Sequence, residues 1–201
     1  MISWRGLQTE IENMKEGNWQ TTVGRGLKGN TLGIFGLGKQ GLQVANFAKA
    51  FDMRVIAWSH NLKKEDCKKA NVEYVSSSDL FKMSDILTIH TRLSERTQGY
   101  INKDKLKLMK KESIIVNTSR GPIIKEQDLI DALNQNTISC AALDVFDQEP
   151  LPAEHILRKT KNTILTPHIG YVSVEAYEKF FNGYLKAIEG FLNGEPINQI
   201  I

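Results

Sequence analysis

Cysteine is nearly missing from this chain of 201 residues: Cys67 and Cys140 are the two there are, and they lie far apart. With no secretory leader ahead of them, they exclude a disulfide framework and make a reducing cytoplasm the expected compartment. Cys140 falls within the apolar run 138–145 and is expected to be a small buried hydrophobe. Long hydrophobic runs are also missing: none approaches the roughly 20 residues of a membrane helix. Charge of one sign is scarce, since 26 Lys and Arg face 23 Asp and Glu, a formal net charge of +3. Much of that small excess sits in runs such as 103–111, with no interleaved aromatics. They are expected to be solvated helix faces and not a nucleic-acid stripe. Neither a membrane, a nucleic acid nor a metal is therefore an expected partner. What remains, 41% hydrophobic and 24% charged residues, describes a soluble globular chain with room for one good-sized domain and a little more.

The apolar pattern has four parts. Trp4, Leu7, Ile11 and Met14 recur at helical spacing, so one helix is expected there, ended by Gly17-Asn18. Residues 20–30 are polar and glycine-rich, an ordered arm or a linker. From Thr31, short runs rich in Ile, Val and Leu alternate with helical patterns. Strands are expected at 31–35, 54–58, 86–90, 113–117, 138–143 and 163–165, and helices at 39–50, 78–83, 102–109 and 126–135. Strands without polar alternation are buried on both faces, as in a parallel sheet covered by helices. The rhythm predicts an α/β fold with a doubly wound parallel sheet of Rossmann type. A final helix is expected over about 173–193, closed by Gly194 and Pro196. Its Tyr177, Phe181, Tyr184, Ile188 and Phe191 form one stripe, which marks a packing or interface face.

Between the first expected strand and helix stands Gly36-Leu37-Gly38-Lys39-Gln40-Gly41. In that context the three glycines form a dinucleotide fingerprint. Gly36 allows the tight turn, Gly38 clears space for the pyrophosphate, and Gly41 lets the helix pack close to the sheet. The helix start at Lys39 and Gln40 offers free N–H groups to phosphate oxygens. One part of the pattern is absent. An NAD site usually carries Asp or Glu at the end of the second strand; here stand Ser59-His60-Asn61, followed by Lys63 and Lys64. The cofactor is therefore NAD or NADP. Loss of the acid removes repulsion toward a 2′-phosphate, which the lysines could attract; the alternative is that Ser59 simply makes a weaker ribose hydrogen bond, and His60 at most touches the cofactor.

Three further phrases carry chemistry: Asn117-Thr118-Ser119-Arg120-Gly121-Pro122, Asp144-Val145-Phe146-Asp147-Gln148-Glu149-Pro150, and Thr166-Pro167-His168-Ile169-Gly170. Taken singly, each has an ordinary reading as a turn or a solvated loop. Together, at strand ends of one α/β sheet, they supply a guanidinium that forks onto a carboxylate, an imidazole that exchanges a proton, and a carboxylate to orient that imidazole. Such a set points to hydride transfer on a 2-hydroxy or 2-oxo acid. The other histidines have bland readings: His90 ends a strand and His155 sits on a polar helix.

With these motifs in view, the chain resembles the NAD-binding domain of the D-isomer-specific 2-hydroxyacid dehydrogenases, the group of phosphoglycerate dehydrogenase, glycerate dehydrogenase and glyoxylate/hydroxypyruvate reductase. The resemblance runs from about residue 4 to the end. It implies that Arg120 holds the substrate carboxylate and carbonyl, that His168 is the catalytic histidine, and that Glu149 is its acid. It also implies that Asp144 contacts the nicotinamide carboxamide, and that Thr91, Thr118, Ser119 and Gly170 lie near the cofactor. The expected organisation is a linking helix and dimer arm at 1–30, a dinucleotide-binding domain at 31–171, and a returning helix at 172–201. The arm near Trp19 to Lys28 implies a homodimer. Most of the family's substrate lobe has no counterpart here, so the final aromatic stripe is expected to be partly exposed. The chain then reads as a piece of a longer enzyme or as a short dinucleotide-sensing module; retention of all three reacting residues favours the enzyme.

Overall fold

The computed structural model describes residues 1–199; Ile200 and Ile201, the end of the expected 172–201 segment, lie outside the described residues. The chain forms two compact units, residues 1–167 and residues 168–201.

The first unit is built on a seven-stranded sheet in which every pairing is parallel. Its strands are β1 (Thr31–Phe35), β2 (Arg54–Trp58), β3 (Glu73–Tyr74), β4 (Ile86–Ile89), β5 (Ile114–Asn117), β6 (Cys140–Leu143) and β7 (Thr163–Leu165), ordered β3-β2-β1-β4-β5-β6-β7. The order reverses between β1 and β4. The six expected strands are present within a residue or two. β3 was not foreseen: two residues at a sheet edge carry no apolar run, and the bidentate ion pair of Arg54 with Glu73 pins them. The helix before it, α4 (Lys64–Lys69), was also missed, because only Cys67 of its six mostly charged residues is buried.

Successive strand residues alternate between two cores, as the pleat requires. Val55 and Ala57 join Leu32 and Ile34 against α3 (Lys39–Ala50) and α4. Ile56 and Phe35 face the larger core, with Leu80, Phe81, Leu106, Leu129 and Leu133 from α5 (Ser77–Met83), α6 (Lys103–Leu108) and α7 (Glu126–Asn134). Gly33, mid-strand in β1, leaves room for Ser84, the residue that ends α5. A Cβ at Gly33 would fall 1.8 Å from the Ser84 Oγ.

The expected N-terminal helix is broken in two. Gly6, at φ +62°, separates α1 (Ile2–Arg5) from α2 (Leu7–Lys15). Trp4 is consequently buried, its Nε1 donating to the Gly26 carbonyl at 2.8 Å, while Leu7, Ile11 and Met14 lie exposed on α2. The arm after α2 is ordered: Glu10 accepts from the Oγ1 of Thr21 and the backbone N–H of Thr22, and the Trp4 carbonyl accepts from the Arg25 N–H. The side-chain hydroxyls of Thr22 and then Thr21, with smaller help from their backbone N–H groups, hold the Glu10 carboxyl below its usual range.

The second unit centres on α8 (Val174–Leu192). Ser173 caps it, its side chain accepting from the Ala176 N–H, and Gly194 at φ +77° follows its end. The stripe is exposed as expected, from 42% at Tyr177 to 74% at Phe191. Among the described residues no helix is long and apolar enough to cross a membrane.

Candidate functional site

Parallel strands deliver all their following loops to one edge, and ligands of such sheets bind there, where strand order reverses. In the first unit that edge carries the glycine turn after β1, Ser59 and His60 after β2, Thr91 after β4, residues 118–120 after β5 and residues 144–149 after β6.

The three glycines are needed for three different reasons. Gly36 has φ +104°, and a Cβ there would meet the Thr91 N at 2.7 Å and the His90 carbonyl carbon at 2.8 Å. The first turn is thus pressed against the loop after β4. Gly41 is buried in the first turn of α3, and its Cβ would lie 2.2 Å from the Gly36 carbonyl oxygen. A Cβ on Gly38 would meet no protein atom within 4 Å. Packing therefore explains Gly36 and Gly41, whereas the clearance at Gly38 is space beside the start of α3. Gly38 is the N-cap, and no side chain caps the helix. The N–H groups of Lys39, Gln40 and Gly41 belong to the turn that lacks intrahelical acceptors. They face an anion with the favourable end of the helix dipole. These features fit a pyrophosphate.

At the end of β2 the expected residues form a small aromatic corner. Trp58 stacks on Phe35 and on Tyr100 at centroid distances of 5.6 and 5.5 Å, Phe35 and Tyr100 themselves lie 5.2 Å apart, and His60 sits 4.9 Å from Trp58 and 5.0 Å from Tyr100. Arg96, in the loop after β4, reaches this corner and donates from Nη1 to the Asn61 Oδ1 at 3.3 Å. Partial desolvation and then the Arg96 charge push the His60 pKa down. Lys64, one of the two cations expected nearby, instead lies 5.8 Å over the Tyr74 ring.

The loops after β4, β5 and β6 are tied together. The Ser119 hydroxyl donates to the Thr91 carbonyl, and the Ser119 N–H to the Asn117 Oδ1 at 3.0 Å. The Asn117 Nδ2 donates to the Arg120 carbonyl at 2.9 Å, and the Asn117 carbonyl accepts from the Asp144 N–H. Asn117 is 1% exposed. In the sequence it was quoted within its phrase but given no role, although an amide closing a strand just before Thr-Ser-Arg-Gly was the available signal. Gly121 lets this loop touch the next, since its Cβ would fall 2.1 Å from the Phe146 carbonyl carbon. Arg120 is exposed, one guanidinium nitrogen donating to the Ser119 carbonyl at 2.6 Å. Asp144 is buried and accepts from the Thr166 hydroxyl. Glu149 is exposed at the loop tip and accepts from the Phe146 N–H at 2.9 Å. Thr118 is exposed on the same edge as Thr91, which is half-buried.

His155 departs from expectation. It lies in a turn before a short 3-10 segment, not on a polar helix. Its Nδ1 accepts from the Leu157 N–H and its Nε2 lies 3.2 Å from the Glu126 Oε1. Burial first, and the nearby Asp147 as well, push the Glu126 carboxyl up against the opposing pull of His155. His90, expected as the last residue of a strand, stands just after it; its Nε2 lies 2.9 Å from the Thr88 Oγ1. Cys140 is only half-buried, yet burial pushes its thiol up to about 11.

In the second unit, His168 has φ +55°, half-buried, with its ring edge-on to Tyr171 at 5.7 Å. Gly170 follows two residues later and is exposed. Among the described residues no group of three or more His, Cys, Asp or Glu is arranged to hold a metal ion.

A doubly wound parallel sheet with a glycine turn at its switch point defines a Rossmann-type domain. More narrowly, residues 1–170 match the family described as D-isomer specific 2-hydroxyacid dehydrogenase, NAD binding domain, and the chain belongs to that family. A glyoxylate reductase of Aeropyrum pernix is 47% identical over 146 residues, 73% of this chain and 44% of the relative. The structure of a phosphoglycerate oxidoreductase from Vibrio cholerae superposes with a TM-score of 0.90 at 32% identity, over 96% of this chain and 63% of that one. A D-lactate dehydrogenase from Aquifex aeolicus, solved with NAD and lactic acid, gives 0.86 at 27% identity, with the same coverages. The chain spans about half the length of the curated relatives it matches.

Proposed function

We propose that this chain is the dinucleotide-binding part of an oxidoreductase that transfers a hydride between NAD(P) and a small 2-hydroxy or 2-oxo acid, of the glyoxylate or hydroxypyruvate class. The observation that carries this reading is the clearance at Gly38 beside the uncapped start of α3, framed by two glycines that packing alone requires. Lys39 and Gln40 then offer N–H groups to the pyrophosphate, Ser59 and His60 flank the adenosine ribose, and Thr91, Thr118, Ser119, Asp144 and Gly170 border the nicotinamide half. The dinucleotide, when bound, supplies or accepts the hydride.

The chain's own groups do the rest. Arg120 presents a planar fork to the substrate carboxylate, a fit that the ammonium of Lys would not reproduce. His168 donates a proton to the carbonyl oxygen during reduction and takes it back during oxidation. Glu149 is its carboxylate partner in this reading, fixing the tautomer and favouring the charged ring. Positioning and proton transfer each contribute about two to four orders of magnitude in such sites. Exposed Leu7, Ile11, Met14, Trp19 and Val23 on α2 and the following arm support a homodimer, and a reducing cytoplasm suits the two free thiols.

The test is titration of the chain with NADH and NADPH, followed by nicotinamide fluorescence, with turnover on glyoxylate and hydroxypyruvate measured alongside. Micromolar binding is expected. No binding of either dinucleotide refutes the reading; binding without turnover by a version that carries the substrate lobe would favour a dinucleotide-sensing module.

A further inference from the structure

We propose that Arg96, reaching across from the loop after β4 to Asn61, is a specificity-determining residue that makes this site prefer NADP(H), its guanidinium gripping the 2′-phosphate of the adenosine ribose. This inference rests on the dinucleotide reading given above.

The end of β2 approaches the adenosine ribose in this fold, and a carboxylate there holds the 2′-hydroxyl and repels a 2′-phosphate. Here no carboxylate stands at the end of the strand: Ser59, His60 and Asn61 occupy it. Ser59 and Asn61 offer a hydroxyl and an amide, both able to donate to phosphate oxygens. Removal of the acid alone would leave a neutral, undecided site. Arg96 decides it, because it brings a cation from an element 35 residues away.

Three observations mark the guanidinium as available for a ligand. Arg96 is exposed and makes no ion pair among the described residues, although Glu95 precedes it. Its one hydrogen bond, to the Asn61 amide oxygen, orients the fork over the end of β2 and leaves the other N–H groups to bind oxygen. The loop that carries it is anchored. Buried Thr97 donates from Oγ1 to the Arg92 carbonyl and accepts from the Ser94 N–H, which limits the freedom lost when a ligand binds. The lysines that follow β2 are less suited. Lys64 lies over the Tyr74 ring and Lys63 precedes α4 as its exposed N-cap.

The experiment compares NADPH and NADH titrations of the intact chain, its Arg96→Gln variant and its Ser59→Asp variant, with circular dichroism to establish that each is folded. The expected NADPH-to-NADH affinity ratio is about 10- to 100-fold in the parent chain, the scale of charge-assisted hydrogen bonds to one phosphate. It should fall close to one in Arg96→Gln and reverse in favour of NADH in Ser59→Asp. A parent ratio of one or less, or an unchanged ratio in Arg96→Gln, overturns the assignment of Arg96 while leaving dinucleotide binding intact. If neither dinucleotide binds the parent chain, the reading beneath the proposal fails and the proposal falls with it.

Discussion

Gly38 and Gly41 belong to one short motif, yet alanine at the two positions should give opposite phenotypes. At Gly41 the new methyl meets the Gly36 carbonyl oxygen at 2.2 Å, whereas ordinary contact begins at 3.4 Å. The obstacle is backbone, so α3 must move away from the turn by about 1 Å, and overpacking of this kind costs about 3 kcal/mol. Better helix propensity returns about 1 kcal/mol. The net loss of about 2 kcal/mol lowers the Tm by about 4–8 °C for a chain of this size. At Gly38 the methyl meets nothing. A poorer N-cap and a stiffer unfolded chain nearly cancel, so the Tm should stay within about 2 °C. That methyl occupies the space assigned to pyrophosphate, and affinity for NADPH should fall about 100-fold, or about 2.8 kcal/mol. Thermal melts by circular dichroism and a fluorescence titration read the two quantities separately. A Gly38→Ala variant that binds dinucleotide like the parent refutes the argument, as does one that melts as early as Gly41→Ala.

Further predictions concern the framework around the site. Asn117→Ala leaves the Ser119 N–H and the Arg120 carbonyl without their side-chain partner. It should cost about 2–3 kcal/mol in urea unfolding and speed amide exchange at residues 118–120. Glu126 and Asp147 hold protons above their ordinary ranges, chiefly because burial penalises their charged forms. The folded chain then binds more protons than the unfolded one, so stability should fall as pH rises from the ordinary values of 4.5 and 3.8 through the raised ones. Unfolding curves of the Glu126→Gln, Asp147→Asn double variant should be flatter across that window, and an identical slope would discredit the burial argument. Burial pushes both thiols up, Cys140 to about 11. Iodoacetamide at neutral pH should leave the folded chain unmodified and label both cysteines once it is denatured; rapid native labelling would contradict this.

The sheet was legible because a strand buried on both faces writes its whole length in apolar residues. β1, with five buried residues in five, is the clearest case. α3 was legible by a different signal, the glycine turn before it and the helical spacing within. β3 and α4 were not, because a two-residue edge strand and a charged six-residue helix bury too little to leave a pattern. The break at Gly6 was hidden for a different reason. Trp4 and Leu7 keep helical spacing in the sequence, and only the positive φ between them shows that they serve different faces. In the site, the glycines could be placed one by one from their spacing. Asn117 and Arg96 could not, since their roles depend on partners in other loops, and no local pattern reports a hydrogen bond from Arg96 to Asn61.

The void above Gly33 is filled by the hydroxymethyl group of Ser84, buried completely and bonded back to the Leu80 carbonyl. These two positions, half a hundred residues apart, therefore behave as a single unit of volume. Enlarging the glycine alone should be ruinous, while trimming the serine to glycine in the same molecule should restore much of the loss, a non-additivity that a double-mutant cycle would record. The spacing between this helix and the strand that leads into the glycine turn is thus set by the two side chains jointly.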